Sequence, residues 1–255
     1  MLRTAFAFLF LFALSASAQA ALPHTLRACG DAAEFPPALF RDRLIGVARG
    51  IDVDVLKRVL EPAGYQVEVD LLPWARCILL GERGEYQIVL DGVHSPRRDR
   101  AFLFPPSHYG LTPIFLWLHK EPAPDVGSAA ALAQHRICSQ ADYNYEPYGV
   151  PAAMITNRAR TIDDAAAMLK LGRCEVMLQN VEVLRAHHAL GGPDYLGDPE
   201  LAGATPGWTR RVDFHFMVGR GLHDGPRLVA LLTRGIESLK RDGELDRIRA
   251  KYQNR

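Results

Sequence analysis

Apolar and polar positions alternate with two periods along this chain, and the switches between them mark the elements. Thr25 to Ala28 opens with a short strand that runs into Cys29-Gly30-Asp31 and the loop Glu34-Phe35-Pro36-Pro37. From Gly50 the period becomes helical. Val55, Leu56, Val59 and Leu60 share one face, and Gly64 stands just past the stop. Tyr65, Val67, Val69 and Leu71 then alternate with Gln66, Glu68 and Asp70, a strand ended by Pro73-Trp74. Ala75 to Arg83 predicts a short helix stopped by Gly84, and Tyr86 to Leu90 a buried strand. Strand, helix, strand, helix, strand predicts a mostly parallel sheet.

Phe102 to Tyr109 is aromatic and Pro-rich, and Leu111 to Leu118 predicts one long strand. The connector His119-Lys120-Glu121-Pro122-Ala123-Pro124 carries the clearest composition shift in the chain. A second α/β unit comes next. It has a helix at Ala129 to Ala133, a strand at Arg136 to Ser139, and a helix from the capping sequence Thr161-Ile162-Asp163-Asp164 to Gly172. Glu175 to Leu178 is its next strand, and Val181 to His188 its next helix. Gly191 to Gly207 predicts a loop, Val212 to Val218 a strand, and Pro226 onward a helix interrupted at Gly243.

The N-terminus breaks this pattern. Arg3 precedes an apolar run from Ala5 to Ala16, too short to span a bilayer, and Ala18-Gln19-Ala20 is a cleavage sequence of the A-x-A kind. Residues 1–20 are therefore expected to be a signal peptide, and the mature chain a periplasmic protein. Arg3 is one of 30 basic residues, so 29 remain in the mature chain against 29 acidic ones. A formal charge of zero argues against nucleic acid or an anionic membrane as a bulk electrostatic partner.

Four cysteines remain, Cys29, Cys77, Cys138 and Cys174. An oxidising compartment favours disulfides, and three pairings are possible. Cys29–Cys77 with Cys138–Cys174 is preferred, because each bridge then stays in one half of the chain and leaves a hinge unrestrained. No CxxC occurs and no histidine stands at ligand spacing to a cysteine, so no metal and no cofactor are expected.

Strand-end loops are where open α/β folds bind ligands, which makes Asp31, Glu34 and Phe35 candidates. Trp74 stands just after the second strand. The turn from Asp91 to Arg100 carries His94, Ser95 and three arginines, Arg97, Arg98 and Arg100. A hydroxyl and a guanidinium beside a helix start can hold a carboxylate; alternatively Arg97 and Arg100 are solvated and pair with Asp99. In the second unit, Tyr143 and Asn144 lie in a loop rich in groups that stack and hydrogen-bond.

In order along the chain, Gly30-Asp31 with Phe35-Pro36-Pro37, Gly50-Ile51-Asp52-Val53-Asp54, Pro73-Trp74, Gly84-Glu85-Tyr86-Gln87, Ser95-Pro96-Arg97-Arg98, Phe104 to Tyr109, Gly172-Arg173-Cys174-Glu175, and Gly243-Glu244-Leu245 with Lys251-Tyr252 resemble the landmarks of the extracytoplasmic solute-binding proteins of family 3, the polar-amino-acid type. The resemblance implies an α/β, two-lobed type II periplasmic-binding-protein fold with a hinge of two crossover strands. One lobe would be 21–117 plus 214–255, the other 118–213. It implies a monomer that captures a small polar solute, an amino acid or related carboxylate, for an inner-membrane ABC permease. Arg98 matches the family's carboxylate-binding arginine, Ser95 its threonine and Trp74 its aromatic wall, with Asp31 lining the first lobe.

Two departures stand out. The turn between Gly92 and Arg98 is shorter by one residue than in amino-acid binders. Asn180 falls where the family has an aspartate for the ligand's α-ammonium, and an amide cannot offset a buried ammonium. Both weigh against an ordinary α-amino acid; an anionic or neutral polar solute fits as well. The same fold resembles periplasmic dehydratases of the cyclohexadienyl type, for which Glu34, Asp31 and His94 would be acid–base candidates. A periplasmic sensor partner is a third reading. Passive binding, without catalysis, is the leading expectation, since no nucleophile–base pair is evident.

Overall fold

The computed structural model describes residues 24–119, 122–141 and 145–253. The expected signal peptide, Tyr143 and Asn144 lie outside them. Strand β1 (His24–Asp31) is followed by a small hairpin of β2 (Phe40–Arg41) and β3 (Ala48–Arg49). Helix α1 (Ile51–Leu60), β4 (Tyr65–Leu72), α2 (Trp74–Glu82), β5 (Ile88–Gly92), α3 (Pro96–Ala101), β6 (Phe102–Leu103) and β7 (Tyr109–Leu111) complete the first run. Next come β8 (Pro113–Leu118), α4 (Ala129–Leu132), β9 (Ile137–Gln140), β10 (Ile155–Ala159), α5 (Ile162–Lys170), β11 (Val176–Asn180), α6 (Val181–Ala189) and β12 (Leu201–Ala204). The chain ends with β13 (Val212–Gly219), α7 (Gly225–Arg241) and α8 (Glu244–Gln253).

Two principal sheets result. The first has the order β4-β1-β5-β13-β6, with β7 also on β13. β1 runs parallel to β4 over its whole length, from His24 opposite Tyr65 to Asp31 opposite Leu72, and parallel to β5. The second has the order β10-β9-β11-β8-β12, with β9 parallel to both β10 and β11. Each parallel set is closed by antiparallel strands, β13 on one sheet and β8 with β12 on the other. Parallel strands need helical crossovers, which places α1 and α2 in the first unit and α5 in the second.

The apolar run from Leu111 to Leu118 is two strands in different sheets, not one. The chain leaves the first sheet at Thr112, between β7 and β8, and returns between β12 and β13. The change of sheet therefore precedes the composition shift at 119–124, because β8 has no exposed position and reads as apolar in either sheet. β13 likewise begins at Val212, ahead of the 213/214 division. The run 191–207 contains β12, and β10 precedes α5; both are short strands without clear alternation. The segment after Ser95 is helical, with Ser95 Oγ accepting from Arg98 N at 3.3 Å and Pro96 at the first position.

α1 buries Ile51, Val55, Leu56 and Leu60 completely and packs on α7. A Cβ on Gly235 of α7 would stand 2.3 Å from Val59, so this crossing needs glycine. Gly64 (φ 87°) and Gly243 (φ 65°) take left-handed conformations just beyond α1 and α7, where the chain must turn out of the helical path. The cysteines pair as Cys29–Cys77, tying β1 to α2, and Cys138–Cys174, tying β9 to the entry of β11.

Under the first sheet lies a buried polar network. Asp52 and His108 are wholly buried, with Asp52 Oδ1 2.5 Å from His108 Nε2. Asp91 N donates to Asp52 Oδ2 at 3.2 Å, and the Tyr109 hydroxyl donates to Asp91 Oδ1. Asp91 holds a left-handed φ of 57°. Arg249 of α8 donates through Nε and a terminal nitrogen to the His108 carbonyl. Burial raises the Asp52 carboxyl to about 8, against hydrogen bonds from Asp91 that lower it. Burial, then the neighbouring Asp52, pushes Asp91 up as well, and burial pushes His108 down.

Asp52 therefore binds a proton in the folded chain that it releases when unfolded at neutral pH. Its contribution to stability is fully present below the ordinary carboxylate range and is lost as pH rises from about 4 to about 8. Thermal unfolding across that range should show the decline, and Asp52→Asn should flatten it; a wild-type midpoint that rises toward pH 8 would contradict the assignment. Removing either disulfide should cost roughly 2–5 kcal/mol. Denaturant titration of the Cys29→Ser/Cys77→Ser and Cys138→Ser/Cys174→Ser variants measures this, and unchanged midpoints would rule it out.

Candidate ligand site

The C-terminal ends of β1, β4 and β5 place three of the expected residues on the first sheet. Asp31 closes β1 and turns Oδ1 onto Ala33 N at 3.0 Å. Trp74 is the first residue of α2, held there by Pro73, and packs on the small core around Cys29, Cys77, Phe102 and Met217. Arg98 lies in α3. Its guanidinium stands 5.2 Å from the centre of the Trp74 ring and donates to the Val93 carbonyl at 3.0 Å. Among the described residues no carboxylate lies within ion-pair distance of it. Burial, with the positive Arg97 beside it, lowers its pKa from the usual guanidinium range. A partly buried cation without a counter-ion is costly, and an incoming anion removes that cost.

His94 and Asp99 form a pair beside this anchor, with His94 Nδ1 2.7 Å from Asp99 Oδ1. Asp99 is thus engaged by His94 and not by Arg97 or Arg100. The His94 ring stacks on Phe104 at 4.0 Å and meets His215 edge-on at 4.8 Å. His215 Nδ1 is 2.9 Å from the Pro105 carbonyl, and burial lowers its pKa. Ser95 spends its oxygen on capping α3. Phe35 turns to Phe214, with ring centres 5.6 Å apart, and packs against the main core. The fold thus brings Trp74 and Arg98 into contact and joins Ser95 and His94 to the same turn, while Phe35 faces the core side of its loop.

On the second sheet Asn180 ends β11 and begins α6. It is fully buried, and neither amide atom makes a well-formed hydrogen bond; the Tyr148 hydroxyl stands beside it. Its backbone N–H donates to Gln179 Oε1 at 3.2 Å, and Gln179 Nε2 donates to Gln140 Oε1 at 3.2 Å. Tyr145 and Tyr148 are both buried, and the Tyr145 hydroxyl donates to the Leu178 carbonyl of β11 at 3.3 Å. Gln179, Gln140 and Tyr148 were not singled out from sequence. The two glutamines stand at the ends of predicted strands, which was the available signal.

Both crossings between sheets are tied at the start of α6. Glu182 accepts from Thr112 N at 2.8 Å, from Thr112 Oγ1 at 3.0 Å, and from Arg211 at 3.2 Å. Val181 N donates to the Thr112 carbonyl at 2.9 Å. A groove of about 650 Å³ runs between the β2–β3 hairpin and α6, lined by Glu34, Arg41, Arg43, Gln140, His187 and Tyr252 among others. It includes none of Arg98, Trp74 or Asn180. Among the described residues no group of three or more His, Cys, Asp or Glu could hold a metal ion, and no helix is long and apolar enough to cross a membrane.

Residues 28–255 match the bacterial extracellular solute-binding proteins, family 3. Similar solved structures include an ancestral cationic amino acid solute-binding protein (20% identity, 90% of this chain and 96% of that one, TM-score 0.68). Another is the substrate-binding protein of an amino acid ABC transporter (17%, 91% and 100%, TM-score 0.65). A histidine kinase sensor domain with similarity to periplasmic binding proteins is also among them (20%, 91% and 97%, TM-score 0.66). No curated protein matches the sequence. The fold is the two-lobed type II periplasmic-binding fold. With the match running from β1 to the C-terminus, the chain belongs to family 3 of the bacterial extracellular solute-binding proteins.

Proposed function

We propose that this protein captures a small carboxylate-bearing solute between two lobes outside the cytoplasm and delivers it to an inner-membrane ABC permease. The observation that carries the reading is Arg98, a partly buried guanidinium against Trp74 with no carboxylate partner among the described residues. The lobes divide where the chain changes sheet, at Thr112 and between Ala204 and Val212. Closure turns on those two crossings, and the monomer works alone in the periplasm. Asp31, His94 and Ser95 frame the anchor from the first lobe, and Asn180 faces it from the second. The bound solute leaves unchanged.

A second reading has one observation in its favour. The His94–Asp99 pair leaves the far ring nitrogen of a half-exposed imidazole available for proton transfer beside the anchor. A structurally similar protein is described as a precursor of cyclohexadienyl dehydratase (20% identity, TM-score 0.66). Turnover of a bound carboxylic acid would establish that reading. A sensor role uses the same closure, and a permease encoded beside the gene would favour transport.

Arg98→Ala should weaken binding of a carboxylate ligand by about 2 kcal/mol or more, because the anion is then buried without its partner. Calorimetry with a ligand identified by native mass spectrometry of the mature protein checks this, and an unchanged affinity would remove the anchor. Trp74→Ala should weaken the same binding while the fold survives. A collapsed melting curve for that variant would make Trp74 a core residue instead.

A further inference from the structure

We infer that the site takes a small dicarboxylate, one carboxylate on Arg98 and the other on Asn180 and the N-terminus of α6. The inference rests on Arg98 being the anchor, as proposed above, and adds the chemistry of the opposite end.

Three observations carry it. First, the groups at the end of β11 are neutral. Asn180, Gln179, Gln140 and Tyr148 offer amides and a hydroxyl, and Asn180 is wholly buried with both amide atoms unpartnered. Second, Asn180 makes no side-chain cap to α6, so the first-turn N–H groups of this helix receive no side-chain acceptor from it. The end of a helix that carries partial positive charge favours an anion and disfavours a cation. Third, the acid in that first turn is committed elsewhere. Glu182 is held by Thr112 and Arg211. An ammonium group at Asn180 would therefore be a buried cation without a counter-ion, facing a positive helix end. A carboxylate there would accept from the Asn180 side-chain amide and from first-turn N–H groups beyond Val181, whose own N–H is taken by the Thr112 carbonyl.

Topology gives the two ends equivalent positions. Arg98 comes after β5 and Asn180 ends β11, so both stand at C-terminal ends of strands in the parallel part of their sheets. Asn180 pairs with Pro113, directly after the crossing at Thr112. On the first sheet Asp31 accepts from Ala33 N through one oxygen at 3.0 Å.

Isothermal titration of the oxidised mature protein tests the inference with matched pairs of equal length: succinate against β-alanine, glutarate against γ-aminobutyrate, adipate against δ-aminovalerate. At least one dicarboxylate should bind about tenfold or more tighter than its amino counterpart. Asn180→Asp should reverse that order. Asn180→Ser, a smaller change for a buried position, should weaken the dicarboxylate without admitting the amino compound. Equal or tighter binding of the amino acids by the wild type, an order unmoved in Asn180→Asp, or no binding of any probe at millimolar concentration would overturn the dicarboxylate assignment. Arg98→Met separates the two readings. If it abolishes binding of every probe that binds the wild type, the anchor stands whatever their order; if it leaves them bound, the anchor itself falls.

Discussion

The carboxylate of Glu182 holds together what the rest of the molecule needs held. It sits in the first turn of α6 and accepts from the backbone and hydroxyl of Thr112, where the chain leaves the first sheet, and from Arg211, where it returns. Hydrogen bonds to a charged group are worth about 1.5–3 kcal/mol each. One side chain therefore couples both crossings to the helix that begins directly after Asn180. Each parallel set needs antiparallel strands that arrive from outside its own βαβ run, and the two crossings deliver them. β8 joins the second sheet and β13 the first.

A second constraint runs beneath the ligand turn. Asp52, His108, Asp91 and Tyr109 join α1, β5 and β7, and Arg249 adds α8 through the His108 carbonyl. These groups are buried where an unpaired charge would be expensive, which favours their neutral forms. Asp91 immediately precedes the turn that bears His94, Ser95 and Arg98. Its left-handed backbone directs the chain out of β5 and into that turn, with Tyr109 and Asp52 holding it from below. The turn thus stands on a buried, hydrogen-bonded base.

Charge is distributed unevenly between the two ends of the proposed site. The first sheet presents a guanidinium whose surroundings hold no compensating carboxylate among the described residues. The second presents neutral amides at the positive end of a helix, its glutamate turned to structural use. The fold is shared with amino-acid binders at about 20% identity, but the recognition chemistry resides in a few side chains that the fold does not prescribe.

Much of the architecture was legible in the sequence because local periodicity and turn chemistry specify it. α1, β4, α2 and α5 were readable from apolar spacing, Gly64, Gly84, the Thr161 cap and Gly172, each a local signal. The cysteine pairing was chosen by keeping each bridge within one half of the chain, and the structure forms those bridges. Arg98 rose above its neighbours only through the resemblance, since three arginines in four positions are equivalent to a local reading. Tertiary structure decided the rest. The strand over 111–118 divides because Thr112 is bound by a glutamate 70 positions away, which no window on the sequence contains. Asp52 sits on the apolar face of α1 with Val55, Leu56 and Val59, so its burial could have been read from spacing. Its partners could not, because His108 and Asp91 approach it from other elements. That Arg98 lacks a carboxylate partner among the described residues, and that the buried Asn180 amide lacks a hydrogen bond there, depend on neighbours in space. They became visible only when the strands were assembled into sheets.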